Sequence, residues 1–237
     1  MKKFLGIIGG IGPEASAYLY NRIVLKTKVL KDQDHIDMVI FNHASIPDRT
    51  SYLLDNNCEN PLPYLIDDVV KLNDLGASLI VIPCNTSLYF YNELQKNSKV
   101  PILNMIDDTV LHLKQLGYKK VGILATTGTI KMHLYQDACL KYGLDYYILK
   151  DDNQTAIMNI IYKNIKVGQP IDTDKFKLII NEMLDEKVEA IILGCTELSI
   201  LKSKLKLNKF YVDPLDIEIK KILTFYNKEI KEEELWK

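Results

Sequence analysis

The 237-residue sequence lacks the features that mark several common protein classes. No window approaches the roughly 18 uninterrupted apolar residues of a transmembrane helix. The formal net charge is only −1 and no basic patch stands out, which makes nucleic acid and anionic membrane surfaces poor partners. Neither low-complexity sequence nor a long linker interrupts the chain. We therefore expect a small-molecule partner.

Cysteine is scarce, and its spacing is not that of a metal site or a disulfide framework. The four cysteines are Cys58, Cys84, Cys139 and Cys195, and no two of them form a C-x-x-C pair. The apolar start Met1–Gly9 is too short for a signal peptide and passes directly into a strand-to-helix turn. We therefore expect a cytoplasmic protein with reduced thiols and no bound metal. Cys139 is predicted to be an inert core residue.

Two of the cysteines follow similar apolar runs. Ala77–Ser87 contains aliphatic and β-branched residues typical of a buried parallel strand, and it ends in a polar turn that carries Cys84. Val188–Leu198 repeats this pattern in register around Cys195. Two thiols are thus predicted at equivalent strand ends.

The beginnings of the two halves also match. Leu5–Gly12 and Val121–Gly128 share a Gly-Ile pair and a final glycine, at nearly the same separation as the two cysteines. We interpret this as a duplicated α/β unit. It predicts two Rossmann-like lobes related by pseudo-twofold symmetry, with parallel sheets flanked by helices and an active site in the cleft between the lobes.

Lobe 1 is predicted to comprise residues 1–116 and 214–237, and lobe 2 residues 117–213. Besides the two cysteine strands, strands are predicted at Phe4–Gly9, Asp37–Asn42, Val100–Asn104, Lys120–Ala125, Asp145–Leu149 and Lys209–Asp213. Helices are predicted, among others, at Glu14–Leu30, Lys131–Lys141, Gln154–Lys166 and Pro214–Tyr226, with a helical tail from Lys228 to Lys237.

The paired thiols predict acid/base chemistry. A free thiol has a pKa of about 8.5, and lowering it to neutrality requires about 2 kcal/mol, of which a helix N-terminus supplies about 0.3 to 1. Hydrogen bonds from Asn85, Thr86 or Thr196 are placed to supply the rest. Because two facing thiolates repel each other, one thiolate and one thiol are favoured. A racemase needs this state, since a base and an acid must flank the substrate.

The first glycine turn allows a second interpretation. Gly10–Ala15 satisfies the G-x-G-x-x-G/A pattern of dinucleotide-binding proteins, but the next strand ends in Asn42-His43 instead of the acid that binds ribose. The turn instead predicts backbone N–H groups, around Ile11, that approach a substrate carboxylate. A nucleotide-dependent oxidoreductase and a non-catalytic ligand-binding module remain the alternatives.

Four motifs together resemble the aspartate/glutamate racemase family over nearly the whole chain: Gly9–Pro13, Pro83–Thr86, Ala125–Thr129 and Gly194–Leu198. The resemblance implies racemisation of aspartate and/or glutamate without cofactor, commonly by a homodimer. It implies that Cys84 and Cys195 are the two acid/base residues. The α-carboxylate or amino group of the substrate would then contact Asn85, Thr86, Thr127, Thr129 and Thr196.

The same resemblance implies cationic partners for the side-chain carboxylate of the substrate. Pro47–Thr50, in the loop after the second strand, resembles the segment that supplies an arginine, here Arg49. Ile161–Gly168 resembles the segment that supplies a lysine, and we favour Lys166 over Lys163. Ser87-Leu88 departs from the usual Ala-His after Pro-Cys-Asn-Thr, which leaves the cysteine chemistry intact but the substrate preference open, including a neutral amino acid. A relative that uses the same scaffold for decarboxylation or isomerisation is a further alternative.

Overall fold

The computed structural model describes residues 3–55 and 57–231, which contain two parallel β-sheets. The first sheet is ordered β2-β1-β3, with β1 Phe4–Gly9, β2 Asp37–Asn42 and β3 Leu79–Val81. The second is ordered β5-β4-β6-β7, with β4 Lys120–Ala125, β5 Asp145–Ile148, β6 Ala190–Gly194 and β7 Tyr211–Val212. Helices flank both sheets, so the predicted α/β class is confirmed.

The two sheets have the same strand order. In each sheet the first strand lies in the middle and the cysteine strand lies beside it. In the second sheet, β7 pairs with the cysteine strand β6. At the equivalent position beside β3, the first sheet has only a parallel bridge between Ile80 and Ile102. The strand predicted at Val100–Asn104 is thus reduced to one bridge, since Pro101 has no N–H to donate to a ladder. This shared order is what a duplicated unit predicts.

The helices are α1 Pro13–Lys26, α2 Arg49–Leu54, α3 Leu62–Leu75, α4 Tyr91–Asn97, α5 Met105–Gln115, α6 Thr127–Lys131, α7 Leu134–Tyr142, α8 Asp151–Asn159, α9 Thr173–Asp185, α10 Thr196–Leu205 and α11 Pro214–Phe225. Short 3-10 segments lie at Asp32–Asp34 and Asn85–Phe90, and a π-helical segment, Ile160–Ile165, follows α8. No helix among the described residues is long and apolar enough to cross a membrane.

The first helix and the C-terminal segment differ from the prediction for a common reason. α1 ends at Lys26 instead of Leu30, because Thr27 is extended and forms an antiparallel bridge with Ile230. The same pairing makes residues 228–231 non-helical, so the predicted helical tail is wrong there. Its remainder, residues 232–237, lies outside the described residues.

Local backbone conformation corrects three other predicted elements. The helix predicted at Lys131–Lys141 is divided into α6 and α7 by His133, which has a left-handed φ of 55°. The loop after β2 ends early, because Asp48 caps α2 by accepting a hydrogen bond from the Ser51 N–H at 2.8 Å. The helix predicted at Gln154–Lys166 begins at Asp151 and includes the π-helical segment.

One hydrophobic cluster joins the two sheets. It contains Leu5 and Ile7 of β1 together with Val121 and Ile123 of β4, all fully buried. α11 packs on α1 and α5, and α5 also packs on α7. This shared core fixes the two sheets against each other and brings the ends of β3 and β6 to a common cleft.

Candidate active site

A small cavity lies where the segments after β3 and β6 meet. It is lined by both predicted catalytic cysteines and by every other predicted site residue except Thr127 and Thr129. Its volume is about 10 Å³, which corresponds to a single water molecule. The space directly between the two cysteines is therefore small.

A wider cavity of about 260 Å³ adjoins this chamber. The two cavities share Ile11, Asp48, Arg49, Lys166 and Glu197. These residues form the neck through which the outer cavity leads to the thiols. Two cations and two carboxylates thus line the entrance.

Cys84 lies between β3 and the 3-10 segment Asn85–Phe90, in an extended conformation. The Arg49 guanidinium faces it. Burial works to lower the pKa of Arg49, but Cys84 and Asp48 outweigh burial and raise it. The wall of the cleft at Cys84 therefore carries a buried positive charge.

Arg49 is held by backbone carbonyl groups. Its guanidinium donates to Ile11 O at 3.1 Å, to Pro47 O at 3.0 Å and to Ile46 O at 3.3 Å. Its Nε is buried and has no hydrogen-bond partner among the described residues. A carboxylate entering the cleft can accept from this N–H. Arg49 is therefore suited to hold the loop and to bind an anion.

Cys195 lies in a contrasting environment. It precedes α10, is buried, and its Sγ donates a hydrogen bond to Glu197 Oε2 at 2.9 Å. Burial first, and the Glu197 carboxylate second, raise the pKa of Cys195 well above its usual value. Cys195 therefore holds its proton as a thiol. One wall of the cleft thus places a cation beside its cysteine, and the other places a carboxylate there.

Glu197 is a site residue to which the sequence analysis assigned no role. It lies two residues after Cys195, in the first turn of α10, and is 5% exposed. The carboxylate of Glu197 contacts the thiol and lies 4.0 Å from Lys166 Nζ. Its position within the second cysteine motif could have indicated this role in the sequence, because an acid beside a thiol changes the proton affinity of that thiol.

Lys166 approaches the neck from the end of the π-helical segment. Its Nζ lies 4.0 Å from Asp48 Oδ2 and 4.1 Å from the centroid of the Tyr162 ring. Lys163, the alternative in the same segment, is exposed and does not line the cavity. Tyr162 OH also donates to Asp48 Oδ2 at 3.1 Å. Tyr162 and Lys166 therefore connect the second half of the chain to the loop of Arg49.

Threonines join the two cysteine turns across the cleft. Thr86 Oγ1 lies 3.0 Å from Thr126 Oγ1 and 2.9 Å from Thr129 Oγ1. Thr196 Oγ1 donates to Pro83 O at 3.1 Å. Thr129 is thus in the network behind the cavity, whereas the Thr127 hydroxyl lies 3.3 Å from Gln154 Nε2. Thr126, which the sequence analysis did not select, lines the cavity instead.

The glycine turn is explained by packing. Gly10 has a φ of 86°, and a Cβ there would lie 2.5 Å from the His43 backbone nitrogen. The Gly10 N–H donates to Ser16 Oγ at 2.9 Å, so it does not point into the cleft. Ile11 does line the cavity, with its carbonyl bound to Arg49. This turn therefore positions Arg49.

Several conspicuous residues lie outside the cavity. His43 pairs with Asp68 at 2.9 Å beside a separate groove. Leu88 packs in the core that joins the sheets, and Ser87 is buried behind the cavity. Neither Ser87 nor Leu88 lines the cavity. Burial raises the pKa of Cys139 to about 12, as expected for an inert core thiol.

Among residues 3–55 and 57–231, no group of three or more His, Cys, Asp and Glu side chains could hold a metal ion.

Known proteins resemble this chain in sequence and in fold. The chain is 27% identical to the broad specificity amino-acid racemase RacX of Bacillus subtilis over 199 residues, which covers 82% of this chain and 86% of that protein. The structure of the Picrophilus torridus aspartate racemase superposes with a TM-score of 0.85 at 29% identity, covering 98% of this chain and 97% of that one. Glutamate racemase from Francisella tularensis, at 20% identity and a TM-score of 0.68, has the same fold, with 100% of this chain and 84% of that one covered.

The sequence profile of one family also matches almost the entire chain. The Asp/Glu/hydantoin racemase profile aligns with residues 8–222, a span that includes both cysteine turns and the neck residues. The match agrees with the resemblance found in the four motifs. The protein is therefore a member of the Asp/Glu/hydantoin racemase family, an isomerase of the racemase type.

Proposed function

We propose that this protein interconverts L- and D-aspartate and/or glutamate without a cofactor, by a two-base mechanism. The observation that carries the proposal is the opposite charge of the groups beside the two thiols within one cavity. Cys84 faces the Arg49 guanidinium, whereas Cys195 donates to the Glu197 carboxylate. The proposal therefore assigns the role of base to Cys84 and that of acid to Cys195.

In the proposed reaction, the Cys84 thiolate removes the α-proton from one face of the substrate. The C–H electron pair remains on the α-carbon as a carbanion, which takes the Cys195 proton on the opposite face. Cys84 is then a thiol and Cys195 a thiolate, and the reverse reaction exchanges these roles. Glu197 disfavours a thiolate at Cys195. The product state of the enzyme therefore tends to regain a proton at Cys195 and lose one at Cys84.

Two cations at the neck support an acidic substrate. Arg49 offers its Nε–H. Burial works to lower the pKa of Lys166, but neighbouring acidic groups outweigh burial and raise that pKa, so Lys166 remains charged. A carboxylate between them would compensate both cations. The names of the relatives include aspartate, glutamate and broad-specificity racemases, and aspartate and glutamate are the substrates that we propose.

The test is a chiral assay with dialysed protein and a panel of L-amino acids in deuterated solvent. We expect formation of the D-enantiomer with deuterium at the α-carbon, most rapidly for aspartate or glutamate, without added metal, nucleotide or pyridoxal phosphate. Activity that appears only with a nucleotide would support the oxidoreductase alternative. Binding without either turnover or α-proton exchange would support a ligand-binding module.

We also propose that the protein is a homodimer with lobes at residues 1–116 plus 214–237 and 117–213. The resemblance to the family supports the dimer, and the packing of α11 on α1 supports the assignment of that helix to the first lobe. Sedimentation equilibrium at micromolar concentration measures the oligomeric state. A monomer mass across that range would contradict the dimer.

A further inference from the structure

Tyr135 touches both cysteine turns from a fully buried position. It lies at the start of α7 and is 0% exposed. Its hydroxyl donates to Asn85 Oδ1 at 2.6 Å, next to Cys84. On the other side, a Cβ added to Gly194 would lie 2.7 Å from Tyr135 Cε2, so the ring lies against the backbone that precedes Cys195. One side chain thus spans the distance between the two turns.

The contact with Asn85 determines what this amide offers to the cleft. Burial raises the pKa of Tyr135 well above its usual value, so its hydroxyl keeps its proton and can donate. Donation to Oδ1 orients the Asn85 amide with Nδ2 on the other side. That Nδ2 is buried and has no hydrogen-bond partner among the described residues, and Asn85 lines the cavity. An unpartnered donor beside two cations matches a carboxylate.

We propose that Tyr135 is a positioning residue: its hydroxyl orients the Asn85 amide to bind the substrate carboxylate, and its ring holds the Gly194–Cys195 turn opposite Cys84. This inference rests on the proposed racemase function. Tyr135 itself does not line the cavity and acts through the residues that it contacts.

The two parts of the side chain have separable consequences. Tyr135→Phe removes the hydroxyl but keeps the ring against Gly194, so the spacing of the thiols is preserved. Asn85 is then free to rotate, which weakens binding of substrate and transition state alike, and such a loss raises KM with little change in kcat. One lost hydrogen bond corresponds to a KM increase of about three- to tenfold. A general loss of structure would instead lower kcat.

The experiment is a double-mutant cycle of Tyr135→Phe and Asn85→Ala, with KM, kcat and melting temperature measured for each protein. We expect the KM of the double variant to equal that of Asn85→Ala alone, because the hydroxyl acts only through the amide. Tyr91→Phe is the matched control. It removes a hydroxyl that donates to Ile102 O at 3.3 Å outside the cavity, and it should leave KM unchanged.

A parental KM in Tyr135→Phe, or additive effects in the double variant, would overturn the inference while leaving racemisation intact. Calorimetric binding of L-aspartate and L-glutamate to the same four proteins separates the two proposals. If the parent binds without racemising and the cycle still shows coupling, the proposed function fails and the positioning role stands. If the parent neither binds nor racemises these amino acids, both proposals fail.

Discussion

The pair formed by Cys195 and Glu197 allows a quantitative prediction for Glu197→Gln. This substitution removes a negative charge whose oxygen lies 2.9 Å from Cys195 Sγ, and it preserves the shape of the side chain. With an effective dielectric constant of about 20, two charges about 3 Å apart repel by about 5.5 kcal/mol as an upper limit. Lys166, 4.0 Å from the carboxylate, partly compensates that charge. We expect the pKa of Cys195 to fall.

The assay is the pH dependence of kcat/KM. In the proposed mechanism the alkaline limb reports deprotonation of the acid, Cys195, in the free enzyme. Glu197→Gln should therefore move this limb to lower pH, with a small loss near pH 6 and a deficit that grows about tenfold per pH unit above the new pKa. Since the two enantiomers have equal free energies, kcat/KM must change equally in both directions. That equality is an internal check on the measurement.

Two other variants control for charge and position. Glu197→Asp keeps the charge near the thiol and should have an alkaline limb close to that of the parent. Glu14→Gln removes a charge from the outer cavity, where Glu14 pairs with Lys204 at 3.8 Å, and should leave the limb in place. An alkaline limb of Glu197→Gln that coincides with the parental one, or lies at higher pH, would refute the argument.

Three further predictions use other residues. Cys84→Ser and Cys195→Ser should each reduce the rate of racemisation by about 10²- to 10⁴-fold. In each variant, one enantiomer should still exchange its α-hydrogen with solvent deuterium. A parental rate of racemisation in either variant would exclude the two-base mechanism. Arg49→Ala should lower kcat/KM for aspartate or glutamate far more than for alanine. Arg49→Lys should restore only part of the activity, because lysine lacks the planar guanidinium that donates two parallel hydrogen bonds. Equal losses for acidic and neutral substrates would mean that Arg49 acts only through the loop and Cys84 and does not bind the side-chain carboxylate. Glu218 is fully buried, its oxygens have no hydrogen-bond partner among the described residues, and burial raises its pKa well above the usual value. The contribution of Glu218 to stability is greatest below its unfolded pKa and is lost as pH rises toward the folded pKa. Glu218→Met should therefore raise the free energy of unfolding by about 1 to 3 kcal/mol at pH 8 and by less at pH 5. Urea denaturation at both pH values measures this difference, and an equal gain at the two pH values would refute the prediction.

The sequence by itself determined the strands and the chemistry at their ends. The bounds of β1, β2 and β4 agree with the prediction, because each strand is a short apolar run whose ends are marked by local sequence. The repeat placed Cys84 and Cys195 at equivalent turns, and the structure brings these turns together in one cavity. Such features depend on residues that are neighbours in the chain.

Helix ends were determined less well, because long-range pairing overrides local preference. Nothing in the sequence around Thr27 indicates that it pairs with Ile230, yet that bridge ends α1 and keeps residues 228–231 extended. The choice of Lys166 over Lys163 likewise depends on which side of the helix faces the cleft. The π-helical segment before Lys166 changes that phase relative to a regular α-helix.

Only the tertiary structure decided how the site is held. Tyr135 and Asn85 are 50 residues apart, and Thr196 and Pro83 are 113 apart, so no local pattern relates them. The electrostatic environment of each thiol depends in the same way on side chains that folding brings to each wall of the cleft. Arg49 lies at Cys84, and Lys166 lies beside Glu197. Sequence motifs identified the reacting groups because chemistry requires particular residue types. Their charge states depend on distance and burial, which are set only when the two halves pack together.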